Sequence, residues 1–134
     1  MSAIDATDFD LHGLFFNSKG PSFALPQCQA CDRYHWYPMQ RCPHCLSERL
    51  EWTAVANTGR VYSATTVRRA FSASNEGKTP YGIVLVSLDT VPDVRVISRI
   101  DLAGGRAAPT IGDAVRIHVE VNPAGGGLVW CVPQ

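Results

Sequence analysis

Cys28-Gln29-Ala30-Cys31 and Cys42-Pro43-His44-Cys45 decide how this chain is read, because the intervening residues can fold the second CxxC pair back onto the first. Four thiolates so assembled are the soft tetrahedral donor set of a closed structural zinc site. The spacer Asp32–Arg41 is short but sufficient for a hairpin that returns one pair to the other. Two disulfides or a redox motif are the competing readings of paired cysteines. A zinc ribbon is expected over residues 25–53, with Cys28, Cys31, Cys42 and Cys45 as metal ligands. Four thiolates also suit iron, so the pattern by itself leaves the metal open.

The spacer carries Tyr34-His35-Trp36-Tyr37-Pro38, aromatic and strand-favouring residues of the kind expected if one arm of a hairpin runs back across the metal site. Held rigid by the metal, Tyr34, Trp36 and Tyr37 would form a partner interface, since aromatic side chains are effective anchors. The alternative is that they pack on the neighbouring domain. With four cysteines at hand, His35 and His44 are expected at the surface. Glycine commonly follows the second cysteine of such a knuckle, where the backbone turns sharply. Asp32 and Leu46 stand there instead, and Asp tolerates unusual angles better than Leu does. The second knuckle is thus the less well specified half.

A chain of 134 residues fits one compact domain with a small appendage. Lys plus Arg and Asp plus Glu both number 12, so no net field draws in a polyanion or an anionic membrane. Neither nucleic acid nor membrane is the expected partner. There is no apolar run of about 18 residues, and Met1–Asp5 lacks the regions of a signal peptide, so a cytoplasmic location is expected. Thiols stay reduced there, which favours metal over disulfides for the four clustered cysteines. Residues 1–24 are less legible. Thr7 can cap a short helix, and Phe9, Leu11, Leu14, Phe15 and Phe16 either cover the open end of the following domain or dock on another subunit.

After Trp52 the texture changes to short β patterns separated by turn residues. Strands are expected at Gly59–Val67, Tyr81–Leu88, Val94–Ile100, Val115–Val121 and Leu128–Val132. Tyr81–Leu88 is apolar on both faces and reads as central. Val94, Val96, Ser98 and Ile100 share one face, opposite Arg95 and Arg99. Val115, Ile117, Val119 and Val121 point inward, which leaves His118 outward. The fold class expected over 54–134 is therefore mostly β, a five-stranded barrel of the OB type whose closure removes sheet edges.

The ordered set of a CxxC and CPxC ribbon, Gly59-x-Val61-Tyr62-Ser63-x-Thr65-x-Val67, Pro80-Tyr81 opening an apolar strand that ends Val86-Ser87-Leu88-Asp89, and Ile111-Gly112-x-x-Val115 resembles the rubredoxin-like zinc ribbon plus OB-fold family associated with acyl-CoA metabolism. The resemblance covers roughly residues 25 to 132 and implies an accessory subunit. Such subunits dock on thiolases, ketosynthase-like acyltransferases, steroid-degrading aldolases or acyl-CoA hydratases and help bind or channel an acyl-CoA. The chain departs from the pattern in the missing knuckle glycines and in lacking a longer N-terminal helix. On this reading the loop Arg68–Pro80 is the place for the coenzyme, with Arg68, Arg69 and Lys78 pairing with phosphates and Phe71 against the adenine. A solvated loop is the alternative.

No catalytic residue is assigned. A closed four-thiolate site offers no open coordination position. Cys131 sits within an expected strand without an identifiable base, as a structural thiol would. Single-stranded nucleic-acid binding is the competing function, because ribbons and OB barrels both serve it, but the charge balance speaks against it.

Overall fold

Chain reversal begins on either side of the cysteines. In the computed structural model, which describes residues 22–73, 77–102, 105–121 and 127–133, strand β1 (Ser22–Cys28) delivers the first knuckle and β2 (Leu50–Ala56) leaves the second. The two pair antiparallel without a slip, from Ser22↔Ala56 to Cys28↔Leu50. The ribbon's hairpin therefore lies outside the cysteines, and the arm expected within the spacer is reduced to one isolated bridge, Gln27↔Tyr34. Strand propensity there yields to packing: Tyr34 and Trp36 lie half-buried against the core. Strand β1 also takes in Phe23 and Ala24, both buried, from the stretch that sequence alone leaves in the segment 1–24. The short helix expected after Thr7, carrying Phe9, Leu14, Phe15 and Phe16, lies outside the described residues, as does Leu11.

Five strands follow: β3 (Thr58–Val67), β4 (Tyr81–Leu88), β5 (Arg95–Asp101), β6 (Ala114–Val121) and β7 (Gly127–Pro133). They close in the order β3-β4-β5-β7-β6. Strand β6 returns to β3 through Thr58↔Arg116, Gly59↔Val115 and Arg60↔Ala114, and the only parallel contact among the described strands joins β5 to β7 at Arg99↔Trp130. Counted within the barrel, this 1-2-3-5-4 closure is the OB fold, and it gives every described barrel strand two neighbours. The five strands expected from the sequence are present, with ends that differ by no more than one residue. No α-helix occurs among the described residues, and no helix there is long and apolar enough to cross a membrane.

The alternation read from sequence sets the interior. Val94, Val96, Ser98 and Ile100 are buried, as are Val84, Val86, Leu88, Val115 and Ile117. Phe23, Leu25 and Val55 of the ribbon strands join the same apolar cluster, so ribbon and barrel share a core. Asn57, between β2 and β3, fixes the junction. Its Nδ2 donates to the Ile117 carbonyl at 2.9 Å, and its own carbonyl accepts from the Ile117 amide at 2.8 Å. Burying that amide is tolerable because both of these groups are satisfied. Cys131 lies in β7 opposite Ile117, at a strand position as expected.

Candidate metal centre and binding surfaces

Both knuckles are built by the same bonds. The amide of Cys28 donates to the Arg33 carbonyl and that of Cys42 to the Ser47 carbonyl, each at 2.9 Å. The Cys28 and Cys42 carbonyls accept from Asp32 and Leu46, again at 2.9 Å. Asp32 (φ 65°) and Leu46 (φ 66°) adopt the left-handed conformation that glycine would take more easily. For a side chain such as Leu46 this costs about 1–2 kcal/mol. The second knuckle thus equals the first, although its sequence specified it less well. Amide-to-sulfur bonds complete each turn, from Ala30 to Cys28 Sγ at 3.3 Å and from His44 to Cys42 Sγ at 3.4 Å.

The turns bring all four sulfurs within 4.8 Å of one another, with Cys28–Cys45 at 3.5 Å and Cys31–Cys42 at 3.6 Å. A tetrahedron with metal–sulfur bonds of about 2.3 Å has edges of about 3.8 Å, so the donor set fits a tetrahedral metal. The four cysteines are free thiols, which sets the disulfide reading aside. Burial pushes the Cys28 thiol up, but the amides of Cys31 and Ala30 and the neighbouring thiols bring it down to about 6. At Cys45 the Ser47 amide pulls down, yet Cys28, burial and the other thiols together push it up to about 12. Cys31 is raised too, against the Arg33 amide, by burial and by Cys42 and Cys28. One thiolate forms readily and the next resist. A cation at the centre removes that resistance, which is the electrostatic role of a metal in such a site.

The histidines divide. His44 is exposed, with Nδ1 at 3.4 Å from the Arg33 guanidinium. His35, expected at the surface, is only 5% exposed. Its amide donates to the Pro26 carbonyl at 3.2 Å, which ties this part of the spacer to β1. Burial, reinforced by His44, holds its pKa below the usual imidazole range. Neither histidine replaces a thiolate.

Of the spacer aromatics, Tyr34 and Trp36 pack on the core, whereas Tyr37 is 61% exposed and meets Trp36 edge to face at 5.3 Å. A cleft of about 730 Å³ separates this spacer from the β4–β5 turn, with Arg33, His35, Trp36, Val91 and Arg95 on its walls. On the loop after β3, Arg68, Arg69, Phe71 and Lys78 are all exposed. The structure brings two of these together: the Arg69 guanidinium sits 5.7 Å from the centre of the Phe71 ring, which is 82% exposed. Strand β3 ends at Val67, so Arg68 and Arg69 escape the opposite-face rule that binds strand neighbours. Sequence reasoning missed the pairs Arg95–Tyr62 and Arg99–Tyr81, whose guanidinium groups lie 4.0 and 3.7 Å from the ring centres. Only the strand register could have disclosed them.

A four-thiolate ribbon leading into a five-stranded OB barrel defines a zinc-ribbon OB-fold protein. Residues 21–51 match the family model of the ChsH2 rubredoxin-like zinc ribbon domain, and residues 52–120 match that of the ChsH2 C-terminal OB-fold domain. The chain belongs to the ChsH2 family. No curated protein matches it. Among solved structures, a chain of the Ltp2-ChsH2(DUF35) aldolase is similar with a TM-score of 0.71 and 24% identity, covering 93% of this chain and 95% of that chain. At that identity the likeness is one of fold.

Proposed function

We propose that this chain is a non-catalytic accessory subunit that docks on a thiolase-fold or related acyl-CoA-processing enzyme and helps bind or channel its acyl-CoA. The observation that carries the reading is the correspondence of ribbon and barrel together, over 93% of the chain, with a chain of the Ltp2-ChsH2(DUF35) aldolase. The closed thiolate set is consistent with it, since zinc held there braces a fold and leaves no open position for substrate. In this division residues 1–24 dock or cover, the ribbon at 25–53 presents Tyr37 with Tyr34 and Trp36 behind it, and the barrel at 54–134 carries the coenzyme loop.

That loop suits a nucleotide because it offers cations beside an exposed ring. Arg69 and Phe71 are already juxtaposed, and Arg68 and Lys78 add charge on the same loop. In the assembled complex, the triple variant Arg68→Ala, Arg69→Ala, Lys78→Ala is expected to raise the CoA dissociation constant at least about tenfold by calorimetry. Unchanged affinity would remove the loop from the site. The accessory role is tested by co-expressing the chain with acyl-CoA-processing enzymes of the organism that encodes it. Co-purification and a gain in the enzyme's activity are expected, and turnover of acyl-CoA by the chain alone would overturn the reading. A salt-sensitive shift of labelled single-stranded DNA at micromolar protein would favour nucleic-acid binding instead.

A further inference from the structure

The outer face of β3, β4 and β5 lies apart from the thiolate site and the Arg68–Pro80 loop, and only Arg95 at its rim also reaches the cleft beside the spacer. On β4 the inward positions are Val84, Val86 and Leu88, so Ile83 and Leu85 face outward and are only half-buried. Leu85 stands in register between Ser63 of β3 and Ile97 of β5, and Ile83 between Thr65 and Arg99. Ile97 is 62% exposed. Tyr62 is the extra residue of the β3 bulge between Val61 and Ser63, and such bulges re-aim side chains. It is 51% exposed on this face and lies under the Arg95 guanidinium. Arg99 covers Tyr81 in the same way. An aliphatic ridge is thus bounded by two guanidinium–tyrosine pairs.

We propose that this face docks the enzyme subunit, and that the partner's matching patch is apolar at its centre and carries carboxylates at its rim. The inference rests on the accessory-subunit reading above and names its surface. Charge selects the occupant. Strands β3 to β5 carry Arg60, Arg95 and Arg99 but a single carboxylate, Asp101, in a chain whose basic and acidic residues balance at 12 each. A second copy docked by the same face would set arginine against arginine, so self-association is disfavoured. A nucleic-acid strand would need free aromatic faces for stacking, and here guanidinium groups occupy them. An apolar ridge with a cationic rim suits an acidic-rimmed apolar patch.

The tagged full-length chain is used to isolate its assembly from the organism that encodes it. The enzyme subunit is identified by mass spectrometry, purified and titrated with variants. Ile97→Asp, and separately Arg95→Glu with Arg99→Glu, are each expected to weaken binding by about 30-fold or more. Thermal midpoint and metal content should remain at wild-type values, and added salt should weaken wild-type binding. Wild-type affinity in both variants would overturn the docking face while leaving the accessory reading intact. Failure to isolate any acyl-CoA enzyme would overturn that reading and this inference with it. A wild-type dimer that Ile97→Asp converts to monomer would replace the enzyme with a second copy. Salt-sensitive binding of single-stranded DNA, lost in the arginine double variant, would replace it with nucleic acid.

Discussion

Stripping the metal is expected to unfold the ribbon and loosen the barrel that shares its core. A two-stranded sheet such as β1–β2 is marginal in water without further support. Structural zinc in small modules contributes about 10–16 kcal/mol of apparent binding energy, which is folding energy when no site exists in the unfolded chain. The loss should spread, because Phe23 and Leu25 on β1 belong to the cluster that contains Val86 and Val96. Chelation should therefore remove one metal equivalent per chain and lower the thermal midpoint by tens of degrees, on the order of what several kcal/mol implies for a chain of this size. Cys42→Ser, at a fully buried ligand, should act in the same direction. Acid should as well. The metal-bound site holds its thiols deprotonated whereas the unfolded chain takes protons up, so stability falls as pH falls. Metal analysis alongside near-ultraviolet circular dichroism checks the prediction. Less than one metal equivalent together with an unchanged fold after chelation would refute it.

How legible a feature is in the sequence depends on whether it is local. The thiolates announce themselves by spacing, and strand alternation by hydropathy. Val94, Val96, Ser98 and Ile100 needed no partner to be assigned inward, and burial follows that pattern. The ribbon's hairpin differs from the expected one because Tyr34–Pro38 has strand propensity, whereas the pairing partners Ser22–Cys28 and Leu50–Ala56 are separated by both knuckles. Propensity is local and pairing is not. His35 departs from the surface position expected of it for a similar reason. Its backbone is tied to β1 by an amide bond to Pro26 across the turn, and composition discloses neither that bond nor the ring's burial. The left-handed angles at Asp32 and Leu46 show the converse, because the knuckle geometry overrides side-chain preference. The outer face of β3–β5 lay furthest from view. It exists only after the bulge at Tyr62 and the β4–β5 register place residues from three strands side by side.

Gly59→Ala is expected to be the most damaging single-methyl change in the barrel. Gly59 sits where the barrel closes, in register with Leu88 of β4 on one side and Val115 of β6 on the other. A Cβ there would stand 2.4 Å from the Ser87 carbonyl oxygen and 2.6 Å from Val86 Cγ1. The first contact is backbone, so no rotamer change relieves it, and the second belongs to a fully buried side chain. Overpacking of this kind costs about 1–3 kcal/mol and can exceed that when the main chain must move. A drop in the thermal midpoint of about 5–15 °C is the corresponding readout. Val86→Ala in the same chain should recover only part of it, because it removes the methyl contact and leaves the carbonyl in place. Full recovery would assign the effect to Val86 alone, and a midpoint unchanged by Gly59→Ala would show that the seam yields freely. The consequence reaches the proposed site. Strand β3 runs from this seam to the Arg68–Pro80 loop, and its bulge aims Tyr62 onto the outer face. A displaced seam should therefore weaken coenzyme and subunit binding together, whereas the loop and face variants separate them.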